Sequence, residues 1–462
     1  MPRRRQNTIT GYELAERNYV GRVCEKTANY DLITIVMVCL GHEDSSDYKG
    51  ILKLLGTLLV SASSAEEKKR ILRDEFAISA DRGMDEEVLN MRKLIAGIII
   101  SVALSSAAMA EVDVHAHIIP AGYRAALIQH DALLDEGFPL PKYDADAQLK
   151  WMDETGIQTA VLTLAAPQPY FGDSAECAQI IRAANEEAAR IKREHPGRFK
   201  FCAALPLPDV EAAIAEAEYA MDVLHADGIK LATNSRGQYL GDPALDPLFE
   251  VLNARNAVVI LHPHRPEPVS RAVMRQTPLA MQEYLSETTR AVANMISRNV
   301  PARYSRVCLV VPHCGAYLPL AVPRMKSLTS VMQANHLVGE IDWPKNLASL
   351  YYDLAGAHSP EVIRILLTVT TPDHLLYGSD YPYADPQALR GSLERLRTYL
   401  AQEPDLAPFR TMILEQNARR LFGDNPEPAQ TVAAPQQALV RIAEVEVHPK
   451  RTAECFRHAP EL

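Results

Sequence analysis

The sequence predicts an α/β fold, a (β/α)8 TIM barrel with partial appendages at its N- and C-terminal ends. Three observations predict it. Eight short β-branched or apolar runs recur between 112 and 380, helical-period segments separate them, and polar residues gather where the runs end. The runs are VDVHAHI (112–118), TAVLTLA (159–165), FKFCAAL (199–205), GIKLATN (228–234), AVVILHPH (257–264), VCLVVPHC (307–314), LYYDLAG (350–356) and HLLYGSD (374–380). Strands alternating with helical patterns argue for a parallel sheet covered by helices, and eight is the number that closes a barrel. Of the intervening segments, 173–195 and 209–226 show apolar residues at i, i+3 and i+4 with charge on the remaining face, as amphipathic helices require. A doubly wound open sheet is the alternative. It would carry a Gly-rich loop after the first strand, and none follows 112–118.

The chain has 462 residues, 47% apolar and 23% charged, ample for a large core. Its net charge is −10 and its densest basic run is only Arg3-Arg4-Arg5, so no nucleic-acid partner is expected. The seven cysteines form no CxxC pair, which argues against a zinc knuckle or a disulfide framework. Cys202 and Cys308, inside apolar runs, read as buried free thiols.

Outside the barrel the chain divides into four pieces. Residues 1–90 form a helical appendage, in which 51–91 carries charged and apolar residues at helical spacing. Residues 91–110 have a basic start, the apolar stretch LIAGIIISVAL and the close Ala108-Met109-Ala110, the layout of a secretory signal with cleavage after Ala110. The barrel is expected over 111–424. Residues 425–437, NPEPAQTVAAPQQ, have a linker's composition, and 438–462 contains one strand-like run, 439–447. Export to the periplasm or medium is expected if translation starts at Met91, and a cytoplasmic protein if 1–90 is translated.

Active sites of such barrels form at the C-terminal ends of the strands. His115 and His117 end the first run and project to one side of an extended chain, because side chains alternate with period two. Such a pair alone is more often a pair of satisfied strand histidines than a ligand pair. The fifth run adds His262 and His264, the sixth His313 and the eighth Asp380, and together they suit a divalent ion with an open coordination position.

The phrases VDVHAHIIP, LHP, PHCGAYLP and LLYGSDYPY, in this order, resemble the amidohydrolase superfamily and its aminocarboxymuconate-semialdehyde decarboxylase-like branch. Further phrases, IPAGYRAAL, HPGRFKFCAALPLPDV and DGIKLATNSRGQYLGDPALDPLFEVLN, are similar to the 6-methylsalicylate decarboxylases of that branch. The resemblance spans roughly 112–423 and implies a barrel of the metal-dependent hydrolase type. It implies that His115, His117, His262 and Asp380 hold one divalent metal, zinc or alternatively manganese, without an organic cofactor. His313 is then an acid/base or substrate-orienting imidazole, Asp380 a second catalytic group, and His264 and Arg324 substrate-binding residues, with Arg324 able to act across a homodimer interface. The implied reaction is non-oxidative decarboxylation of a small aromatic or enolic carboxylate, such as a salicylate-type acid. The alternative is metal-dependent hydrolysis of a lactone, ester or amide. Lys230 keeps that alternative open, since binuclear relatives use a strand-four lysine as a bridge, although a structural or substrate-facing lysine is the other reading. The flanks carry their own resemblances. SAEEKKRILRDEF and EEVLNM resemble the tail of the PD-(D/E)XK transposase and nuclease family, without its catalytic set, and 438–462 resembles the start of an antibiotic-biosynthesis monooxygenase domain.

Overall fold

The computed structural model describes residues 111–423 apart from 135, 165, 269–276 and 357. The appendage 1–90, the signal-like segment 91–110, the linker 425–437 and the strand-like 438–462 lie outside the described residues. Eight parallel strands follow one another in chain order: β1 (Glu111–Ile118), β2 (Ile157–Leu164), β3 (Phe199–Ala204), β4 (Gly228–Ala232), β5 (Val258–His262), β6 (Cys308–Val311), β7 (Leu350–Asp353) and β8 (Leu375–Leu376). Beyond β8 the chain continues along β1: Val114 N donates to Tyr377 O, Asp380 N to His115 O and His117 N to Tyr381 O, which joins the last strand to the first. The expected (β/α)8 barrel is the observed one.

Helix positions follow from local chemistry. Asp173 and Asp209 cap the helices Ser174–Glu194 and Val210–Asp222, their carboxylates accepting the otherwise unpaired backbone N–H groups of the first turn. The second helix stops four residues short of the periodic pattern. Among the described residues no helix is long and apolar enough to cross a membrane.

The lower part of the barrel is packed with β-branched side chains, Val112, Val161, Val258, Ile260 and Val310 among them, and Leu421 and Phe422 of the C-terminal helix Asn417–Phe422 join that cluster. Truncating one such fully buried side chain to alanine costs about 2–5 kcal/mol. Cys202 belongs to this core, as expected, whereas Cys308 is only half-buried. The apolar filling thus occupies the end away from the catalytic face and leaves the strand C-termini for polar groups.

Six of the eight runs are shorter as strands than their apolar patterns, β8 covering only Leu375–Leu376. β4 ends at Ala232, and Asn234–Ser235 pairs with Gln238–Tyr239 in a small hairpin instead. β5 ends at His262 and β6 at Val311, so His264 and His313 sit on the loops beyond, each after a proline that cannot donate to the ladder.

Candidate metal centre and active site

Four residues from three strand ends converge. One ligand atom each from His115, His117, His262 and Asp380 lies within 4.8 Å of all the others. The His117 and His262 rings are 4.7 Å apart and those of His115 and His117 5.0 Å. A register shift between Asp113 and Ala116 bulges β1 against β2 in the stretch that carries His115, a device that re-aims side chains beside active sites. β8 must then come very close to β1. Gly378 makes this possible, since a Cβ there would lie 2.6 Å from that of His115. Asp113, fully buried, accepts from Ser379 N and Oγ and from His115 N, fastening the Gly378–Asp380 turn to the ligand pair. Asp380 itself adopts φ 64°, a left-handed conformation that Asp tolerates better than most residues.

The hydrogen bonds around the histidines fix one tautomer for all three. His115 Nδ1 lies 2.8 Å from Asp353 Oδ2, and an ionised carboxylate only accepts, so Nδ1 carries the proton. His262 Nδ1 donates to the carbonyl of Pro263 at 2.9 Å. Thr163 Oγ1 donates to Ala116 O and therefore accepts from His117 Nδ1 at 3.0 Å. Each Nε2 lone pair is left facing the cluster. His115 Nε2 is buried without a hydrogen-bond partner and stands 3.5 Å from Asp380 Oδ1, while His117 Nε2 is 3.1 Å from the same oxygen. Three aligned imine nitrogens and a carboxylate, with partners on their far sides, fit a single divalent ion.

Electrostatics point the same way. Burial tends to raise Asp380, but its hydrogen bond with His117 and the neighbouring imidazoles hold it down at about 2. His262 is pushed well below the ordinary imidazole value by burial and by the other imidazoles, so it stays neutral. His117 falls to about 4, chiefly through burial. His115 differs: burial pulls it down, yet Asp353 and Asp380 carry it to about 9. Without a metal His115 Nε2 therefore holds a proton, and a cation at the centre would take that proton's place.

His313 joins the group from the loop after β6, its ring 5.1 Å from that of His115 and 5.9 Å from that of His262. Its Nδ1 is buried with no hydrogen-bond partner, and burial lowers its pKa. The loop that presents it is strained: His313, Cys314, Gly315 and Ala316 all have positive φ, between 54° and 74°. Asp353 holds this loop too. Its Oδ1 accepts from His313 N and Ala355 N, both at 3.0 Å, so one fully buried carboxylate ties a putting-forward loop to the ligand His115.

Above the cluster opens a cavity of about 620 Å3 bordered by His262, His313 and Asp380 on one side and by apolar and aromatic residues elsewhere. His264 does not border it. Its Nε2 pairs with Lys230 Nζ at 2.8 Å, and it lines a separate pocket of about 40 Å3 with Glu136 and Gln168. Lys230, buried among the strands, is lowered to about 7. Arg324 is exposed on the helix Leu318–Ala334 and is not among the residues bordering the cavity of this single chain.

Sequence reasoning missed Asp353 and Thr163. Asp353 left a signal, a charge inside the run LYYDLAG, because a buried carboxylate must find a partner. Thr163 left none, since threonine is ordinary in strands; only the β1–β2 register, pairing His117 with Thr163, sets it beside the ligand.

The amidohydrolase family model matches residues 112–423. The decarboxylase yanB of Aspergillus niger is 32% identical over 334 residues, 70% of this chain and 89% of that protein. The 6-methylsalicylic acid decarboxylase of Penicillium expansum is 29% identical over 295 residues, 63% of this chain and 90% of that protein. Among solved structures, an amidohydrolase crystal structure superposes with a TM-score of 0.62 at 31% identity, covering 68% of this chain and 99% of that one. A manganese-bound dihydroxybenzoic acid decarboxylase from Polaromonas shares the fold at a TM-score of 0.57 and 20% identity, covering 68% of this chain and 96% of that one. With a barrel of this topology, a His/His/His/Asp cluster at its strand ends and a family match over more than half its length, the chain belongs to the amidohydrolase family.

Proposed function

We propose that this protein is a divalent-metal-dependent carboxy-lyase that removes CO2 without oxidation from a salicylate-type aromatic acid. The observation that carries the reading is the joining of one four-residue metal cluster to an apolar, ring-lined cavity that His313 and Asp380 both border. The likeness to fungal decarboxylases, one of them named for 6-methylsalicylic acid, supports it.

A divalent ion held by His115, His117, His262 and Asp380 would supply the positive charge that fixes an acid's carboxylate and adjacent hydroxyl oxygen and offsets charge developing there. Asp380, ionised at neutral pH, or neutral His313 would take a proton from the substrate hydroxyl and deliver it to the ring carbon bearing the carboxylate. That carbon becomes tetrahedral, the bond to the carboxylate breaks with its electron pair returned to the ring, and CO2 leaves. The phenolate then takes a proton from solvent. Ring contacts from Tyr383, whose plane stands edge-on to His117 at 5.1 Å, hold the aromatic nucleus against the cluster.

Zinc and manganese both suit this donor set, and zinc is the ion we assign. We also assign a homodimer, supported by exposed Tyr317, Leu320 and Val331 on and beside the helix that carries Arg324, which would place that arginine at the interface as a carboxylate-binding group. His264, paired with Lys230 and outside the lining of the cavity, is left out of the substrate site. Export follows if translation starts at Met91, which N-terminal sequencing of the native protein decides.

The test is CO2 release from salicylates and resorcylates by the purified chain, with metal content measured on the same sample and light scattering for its mass. One metal per chain and CO2 evolution are expected, both lost with a chelator and restored by the ion. Two metals per chain with turnover of lactones or esters would establish the hydrolase instead.

A further inference from the structure

The cavity is far larger than a bare salicylate, and its two ends differ in chemistry. Pockets of about 300–1,000 Å3 enclose drug-sized ligands, whereas a salicylate has only about ten heavy atoms. At about 620 Å3 this cavity has room well beyond a ring seated at the cluster. The imidazoles and the carboxylate that border it, His262, His313 and Asp380, belong to the cluster; Cys314 and three tyrosines, Tyr284, Tyr317 and Tyr383, also border it. The apolar side chains among its described walls include Phe138, Pro278, Ala280, Met281, Leu285 and Val362.

Two of the three tyrosines that border the cavity add no free hydroxyl to it. Tyr284 O–H donates to Glu136 Oε2 at 2.9 Å, outside the cavity, and Tyr383 O–H donates to the Ala166 carbonyl at 3.3 Å. Both hydroxyls are engaged in the wall, so these two tyrosines present their rings; Tyr317, 38% exposed, is the third that borders the space. A hydroxyl or carboxylate placed against Phe138, Pro278, Ala280, Leu285 or Val362 would lose water and gain no partner from those side chains, while a methylene would gain burial.

We infer that the far half of the cavity is a subsite for an apolar substituent longer than a methyl group, so that the substrates of this protein are alkyl-bearing aromatic acids. This rests on the carboxy-lyase reading for the chemistry but on the walls alone for the subsite. Each methylene moved from water into such a wall is worth about a fourfold gain in binding, and a hydroxyl at the same place loses up to about a hundredfold.

The experiment is a series of salicylates with hydrogen, methyl, propyl and pentyl at the ring position next to the carboxylate, plus a terminally hydroxylated pentyl chain. The full metal-loaded chain is used, and both CO2 release and equilibrium binding by calorimetry are read. The expected result is kcat/KM and affinity rising two- to fourfold per methylene through pentyl, with the hydroxylated chain falling back. Leu285→Trp, which fills the space, should lower the pentyl-to-hydrogen ratio at least about tenfold, with the melting temperature confirming that the variant folds. CO2 release that is flat or declining beyond methyl would overturn the subsite and leave the carboxy-lyase reading standing. Affinity that rises with chain length without any CO2 would support the subsite and overturn the reaction. Binding of none of the acids overturns both.

Discussion

His262 and His264 are two residues apart, yet they belong to different chemistries. His262 ends β5 in register with Ala232 and turns its Nε2 into the metal cluster at the mouth of the large cavity. His264, past Pro263, gives its Nε2 to Lys230 and borders only the small side pocket. Burial lowers both imidazoles well below their ordinary value, so neither burial nor titration separates them. The difference is the partner each Nε2 meets. The main cavity gathers lone pairs that a cation would satisfy; the side pocket pairs an amine with an imidazole and satisfies itself.

The largest test of that contrast is deletion of one ligand on each side. His262→Ala or Asp380→Asn should cost at least about a thousandfold in kcat/KM and bring metal content well below one per chain, whereas His264→Ala should cost about tenfold with metal retained. Equal losses, measured by steady-state kinetics with metal analysis, would erase the distinction. An Asp380→Asn protein with unimpaired turnover would turn the cluster into a binding site without catalysis.

His313→Gln comes next. It borders the same cavity but is not one of the four clustered residues, so kcat should fall about 10²–10⁴-fold while metal content stays at one per chain. Loss of metal in that variant would make His313 a ligand and widen the cluster.

Asp353→Asn probes how the cluster is oriented. The amide oxygen can still accept from His313 N and Ala355 N, but the amide NH2 would donate to His115 Nδ1 and force the proton onto Nε2, the wrong tautomer for a ligand. Metal affinity, titrated with Co2+ by absorption, should drop about 10–100-fold. Unchanged affinity would mean that Asp353 only braces the loop.

The last test lies on the side-pocket arm and is read as stability against pH. Burial depresses the Lys230 amine to about 7, with Glu136 opposing it only in part. A base whose folded pKa is depressed contributes stability that is present above its unfolded value, about 10.4, and lost as pH falls through the folded one. The native chain should therefore lose on the order of 4 kcal/mol between about pH 10 and pH 7 from this group. Lys230→Met should escape that loss, so its melting temperature relative to wild type should climb as the pH is lowered over this window. A difference that stays constant with pH would show the amine to be solvated.

Much of the fold was legible because the barrel's periodicities are local. The eight runs, the capped helices after Asp173 and Asp209 and the buried Cys202 follow from residue spacing and from what each side chain gains by leaving water. The clustering of His115, His117, His262 and Asp380 was legible for a related reason: strands align their C-terminal ends on one face, so polar residues at those ends are neighbours before any coordinates are known. Arg324 illustrates the limit, since its exposure in one chain leaves its role to contacts that lie beyond that chain.

By itself, then, the sequence determined the barrel, its open end and the residue types gathered there, because strand period and strand count are properties of the chain alone. Only the tertiary structure decided which histidine of the HPH motif faces the cluster, that Asp353 governs both His115 and the His313 loop, and that Tyr284 and Tyr383 spend their hydroxyls in the wall. Those outcomes depend on where a donor finds its acceptor across 40 to 240 residues of chain, and hydrogen-bond direction, unlike hydrophobic period, leaves no mark in local spacing.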